Sequence, residues 1–164
     1  MIYNGVSLLS AAPIKDMLET KERSHGVSHG LSEAGYDIRI KQEVIFHPGN
    51  STQPAGVWVD GIYNPGRFTI ASTIEEFQMP TYLVGVVHDK STWARLGLSV
   101  RNTVVEPGWR GFLTLELVYD GRGMLTIPAG AGIAQVLFHE VASHASYDGK
   151  YQNQADKPVG AIHG

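Results

Sequence analysis

"VEPGWRGFLTLELVY" (residues 105–119) begins with a Pro-Gly turn and continues as a strand. Side chains alternate across a pleated strand, so Phe112, Thr114, Glu116 and Val118 share one face while Leu113, Leu115, Leu117 and Tyr119 share the other. The leucines claim the core, and Glu116 therefore points outward. Such a carboxylate is either solvated or sited. Trp109 just ahead of it supplies an aromatic wall that could shelter the acid and raise its pKa.

Short segments of the same kind surround this one. "YDIRIKQEVIF", "GVWVDGIYN", "RFTIAST", "YLVGVV", "MLTIPA" and "AQVLFHEV" all read as strands punctuated by Gly and Pro. No helical pattern of crossover length separates them, so the expectation is a mainly β sandwich or barrel of jelly-roll type. One short N-terminal helix is expected over "APIKDMLETKER", with Pro13 in its first turn and Ile14, Met17 and Leu18 on its inner face. The Gly/Ser-rich "SHGVSHGLSEAGY" reads as a loop, and the polar tail from about residue 145 as a mobile lid on a single domain of residues 1–164.

With 43% hydrophobic and 18% charged residues, the chain is rich enough in apolar side chains to bury a core. A formal charge of -3 offers no general field for nucleic acid or an anionic membrane, so an anionic ligand must be met by local cations. The absence of cysteine removes disulfides, thiolate nucleophiles and thiolate metal sites. There is no basic n-region at the start and no apolar run of spanning length. A soluble, cytoplasmic protein is the reading.

The stretch "DKSTWARLGL" (residues 89–98) concentrates donors in one turn. Gly85 to Ser91 has a P-loop's outline but puts Asp89 where that loop needs glycine, and an aspartate there adds bulk and repulsion. Ser91 is expected to cap a short helix running toward Gly97, with Arg95 on the same face; this is either an ordinary capped helix or a site for an anion. His25 and His29 have metal-ligand spacing but lack the intervening Glu, His139 and His144 straddle a strand end, and His88 stands alone, so no metal site is assigned. The zinc deaminase signature needs cysteines and is excluded. "YDGKYQNQ" (residues 147–154) is a polar tail, or a flap of phenols, amides and an ammonium able to close over a phosphorylated ligand.

Five stretches in order, "GLSEAGYDIRI", "KSTWARLGL", "TVVEPGWRGFLTLEL", "GAGIAQVLF" and "YDGKYQNQ", resemble the dCTP deaminases of the deoxyuridine-triphosphatase superfamily, from about Gly30 to Gln154. The resemblance implies a distorted jelly-roll, β-clip subunit of dUTPase-like fold, a homotrimer, and active sites at subunit interfaces. It implies Glu116 as the catalytic base and then acid, with Ser91 and Arg95 orienting water. It implies nucleotide contacts from Lys90, Ser91, Thr92, Trp93, Ala94, Arg95, Thr114, Leu115, Gln135, Tyr147, Lys150 and Gln154. Glu106 holds the acidic position before "PGW", as a second carboxylate. The implied ligands are dCTP and dUTP, with Mg2+ carried on the triphosphate and no zinc. Three departures stand out: Trp93 where the family often has Leu or Tyr, a loop between Tyr147 and "GKYQNQ" shorter than in many relatives, and Asn102 where a small apolar residue is common, close to the pyrimidine pocket.

The implied reaction is hydrolytic deamination of dCTP to dUTP. Three alternatives stay open: a bifunctional enzyme carrying dUTP on to dUMP through Glu106, a dUTPase, and a nucleotide-binding trimer without catalysis.

Overall fold

The computed structural model describes residues 1–164. Along the chain come β1 (Ile2–Tyr3), α1 (Gly5–Ala11), β2 (Lys21–Ser24), β3 (Val27–Leu31), β4 (Tyr36–Arg39), β5 (Val44–His47), β6 (Gly56–Val59), β7 (Ile62–Pro65) and β8 (Phe68–Gln78). There follow β9 (Leu83–Asp89), α2 (Ser91–Ala94), β10 (Leu98–Val100), β11 (Arg110–Tyr119), β12 (Leu125–Ile127) and β13 (Gly132–Glu140). The protein is mainly β, and its strands pair antiparallel in three sheets.

The six-stranded sheet runs β1-β13-β4-β3-β2, with β9 on the other edge of β13; β10-β11-β8 form a second sheet and β12-β5-β6-β7 a third. A single buried cluster joins them, taking Ile38 from β4, Val44 from β5, Ala71 from β8, Leu115 from β11 and Phe138 from β13. Between the sheets, Glu75 of β8 is buried and accepts from both the main-chain N–H and Nε of Arg39 at 2.8 Å. Burial pushes its carboxyl upward in pKa and the guanidinium opposes that push.

Two expectations fail near the N-terminus. The helix is not over residues 12–23 but upstream, at Gly5–Ala11. Ala12 closes it in the left-handed region (φ 46°), donating to the Leu8 carbonyl, so Pro13 marks the stop rather than the first turn. Ile14 then runs extended against Phe77 and is buried in the core. The segment read as a loop is instead mostly a hairpin: β2 and β3 pair across His25 and Gly26, whose φ values of 52° and 74° suit the tight turns that match strand twist. "YDIRIKQEVIF" also divides, because β4 and β5 belong to different sheets and Gln42 between them bonds by its side chain to Ser72.

α2 is a single turn, held from beneath. Trp93 is buried and its Nε1 donates to the Gly132 carbonyl at 2.7 Å. Gly132 is needed there for another reason, since a Cβ at this position would meet the Ser28 carbonyl oxygen of β3. Gly132→Ala is expected to lose about 2–3 kcal/mol of stability by forcing these backbones apart. Urea denaturation checks it, and an unchanged midpoint would show that the sheet absorbs the methyl group.

Candidate active site

Leu115 and Leu117 of β11 are fully buried, so the pleat turns Glu116 to the opposite face. There it enters a cavity of about 630 Å³ walled largely by Phe68, Ile70, Val105, Trp109, Leu113 and Tyr147. The apolar wall raises the Glu116 pKa by desolvation, with no neighbouring cation opposing it. A carboxyl whose proton affinity is raised in this way is suited both to take and to return a proton.

Strict alternation fails at one position. Leu113, expected in the core with the other leucines, is half-buried and lines the cavity instead. Pairing of β11 with β8 slips between Phe112 and Thr114, and the Leu113 N–H donates to the Thr73 hydroxyl rather than to a strand carbonyl. The slip is a bulge that re-aims one side chain.

The turn before β11 sets the opposite wall. Trp109 is buried against Phe77, and its Nε1 donates to the Tyr151 carbonyl at 2.7 Å. That contact helps dock the tail. The Tyr147 N–H donates to the Pro107 carbonyl, Gln154 pairs in parallel with Gly111, and the Phe112 N–H donates to the Gln154 carbonyl. The Thr114 hydroxyl donates to Gln154 Oε1 at 3.2 Å and accepts from the Val159 N–H at 3.0 Å. Val159, Gly160 and Ala161 thereby form part of the cavity wall, a contribution that sequence reasoning missed because nothing in "PVGA" signals it.

Thus Glu116, Glu106, Thr114, Tyr147 and Gln154 converge on one cavity, together with Asn102. The other assigned residues lie elsewhere in the chain. Leu115 is wholly in the core, and the Gln135 amide donates to the Ser32 hydroxyl. Lys150 bonds the Ile162 carbonyl and stacks over the Tyr151 ring. None of Lys90, Ser91, Thr92, Trp93, Ala94 or Arg95 lines the Glu116 cavity.

α2 has its own geometry. Lys90, not Ser91, is its N-cap, and no side chain caps the turn, which corrects the expected serine cap. The Lys90 ammonium reaches inward to Asp37 at 2.6 Å and to the Ser28 hydroxyl at 3.1 Å. Ser91, Thr92 and Arg95 remain exposed on the outer side. Asp89, which breaks the P-loop pattern, accepts from the Val100 N–H at 2.7 Å and so closes the loop around the turn. No three His, Asp or Glu side chains gather into a metal-donor set. His29 is buried beside Ser24, and burial lowers its pKa.

Antiparallel sheets around one core, with a sheltered carboxylate on a central strand, define a protein of dUTPase-like fold. Native EIAV dUTPase superposes with a TM-score of 0.53 over 85% of this chain and 92% of its own, at 17% identity. The sequence profile of the dCTP deaminase-like family matches residues 59–141. Curated dCTP deaminases are similar over most of the chain. That of Acidobacterium capsulatum is 34% identical and that of Herpetosiphon aurantiacus 38%, each over 158 residues covering 86% of both chains. The one from Acidithiobacillus ferrooxidans is 38% identical over 79% of this chain and 78% of its own. This chain belongs to the dCTP deaminase-like family.

The raised pKa of Glu116 has a consequence for stability. Its folded pKa lies above the unfolded value, so the folded state holds the proton more tightly and the ionised acid weakens the fold as pH rises through the carboxylate range. Glu116→Gln is expected to melt higher than the parent protein above about pH 5, the gap closing below the unfolded pKa of about 4.3. Melting curves across pH check the sign; a variant less stable at neutral pH would contradict the desolvation account.

Proposed function

We propose that this protein hydrolyses dCTP to dUTP and ammonia, with Glu116 as general base and then general acid. The observation that carries the reading is the Glu116 carboxyl, its pKa raised by burial in a largely apolar cavity, on the strand where family resemblance puts the reacting base. Glu116 takes a proton from water as the oxygen bonds to C4 of cytosine. The proton passes to N3, and a second transfer lets the C4–N bond break and ammonia leave. Water activation here belongs to a carboxylate, a role that a metal fills in other hydrolases. Mg2+ enters with the substrate, bound through its phosphate oxygens.

A single chain does not bring Ser91 and Arg95 to Glu116. In a homotrimer, a neighbouring copy would supply them. Exposed apolar side chains at Ile62, Phe68, Ile74, Leu96 and Val104 offer surface for that contact. Lys90 stays with Asp37 and supports α2, which leaves phosphate to Ser91, Thr92 and Arg95 with Lys150 from the tail. Arg95→Ala and Glu116→Gln subunits, each inactive alone, are expected to regain part of the activity when refolded together. Mixed trimers with no gain would place both residues in one subunit's site.

A second reading is favoured by Glu106, which lines the same cavity as Glu116 and could direct water at the α-phosphate. Chromatography of dCTP reactions separates the cases. Ammonia with dUTP is expected; ammonia with dUMP marks the bifunctional enzyme, action on dUTP alone a dUTPase, and binding without turnover a non-catalytic trimer. Glu116→Gln should keep nucleotide binding and lose about 1000-fold or more in kcat. Full activity in that variant would end the assignment.

A further inference from the structure

β10 ends at Val100, and the chain then leaves β11 so that residues 102–106 can wall the cavity. A strand edge abandoned this way exposes main-chain donors and acceptors that are costly to leave unpaired beside an apolar space. Arg101 keeps one main-chain bond, its N–H to the Glu116 carbonyl at 2.8 Å. Asn102 then substitutes its side chain for a strand. Its Nδ2 donates to the Thr114 carbonyl at 2.7 Å, and the Glu116 N–H donates to its Oδ1 at 3.0 Å. One planar carboxamide thus bridges the acceptor before Leu115 and the donor after it, a pairing that needs a side chain with both functions.

We infer that Asn102 is a positioning residue for Glu116, its carboxamide pinning the Thr114–Glu116 main chain so that the carboxylate keeps its place in the cavity. The inference rests on the reading of Glu116 as proton shuttle. After the Leu113 bulge, pairing with β8 resumes in regular register at Thr114 and holds one edge of this segment. On the β10 edge, where the strand has ended, the two carboxamide bonds hold the other. A displacement of about 1 Å at a reacting group can cost on the order of 100-fold in rate.

The test uses the full-length protein with dCTP. Asn102→Ala is expected to lower kcat about 100-fold with KM within about threefold, and to speed hydrogen exchange at the Glu116 amide. Asn102→Asp keeps the acceptor for that amide but sets a carboxylate against the Thr114 carbonyl. Protonation restores the lost donor. Its activity relative to the parent should therefore recover as pH falls and decline as pH rises through the introduced carboxyl's pKa, a dependence absent from Asn102→Ala. Unchanged Glu116 exchange in Asn102→Ala overturns the clamp, and faster exchange with kcat within threefold of the parent overturns the positioning role. Full activity of Glu116→Gln would instead signal failure of the underlying assignment. If Asn102→Ala does not fold, the pH dependence of Asn102→Asp carries the test, and activity relative to the parent that does not change with pH overturns the positioning role.

Discussion

The pleat of β11 couples packing to chemistry. Leu115 and Leu117 are fixed in the core, and their burial, worth about 1.5–3 kcal/mol each, resists any one-residue slip of the strand. Such a slip would bury Glu116 and expose the leucines. The orientation of the carboxylate is therefore enforced by hydrophobic burial on the other side of the same backbone. Its own environment then sets its proton affinity, because the cavity wall withdraws water without supplying a cation.

α2 divides its residues differently. Trp93 and Lys90 face inward, one bonded to the Gly132 carbonyl and the other to Asp37, while Ser91, Thr92 and Arg95 face outward. The Lys90–Asp37 pair is almost enclosed, with 11% and 5% of the side chains exposed, and removing one partner would strand a charge. An inward anchor of this kind makes the outer donors a rigid set rather than a flexible loop. Rigid presentation suits a turn that serves another subunit's cavity, as the proposed trimer requires.

The tail joins the site by main-chain bonds as well as by side chains. Gln154 extends β11 by a parallel bridge at Gly111, where a Cβ would collide with the Gln154 backbone. Its Oε1 accepts from the Thr114 hydroxyl, the residue next but one to Glu116. The docked tail thus shapes the cavity, and a segment that reads as a polar extension is one of its walls.

The sequence by itself determined the strand class, the outward parity of Glu116 and the exclusion of thiolate metal chemistry, because these follow from local alternation and from which residue types are present. Local pattern was a poor guide where two elements share one signal: Pro13 begins helices and also ends them, and His25-Gly26 reads equally as a loop or as a hairpin turn. Only the tertiary structure decided that Leu113 leaves the core, that Lys90 turns to Asp37, and that Asn102 grips the strand bearing Glu116. Each depends on a partner 12 or more residues away or on a register slip between strands, and no periodicity within a segment encodes either.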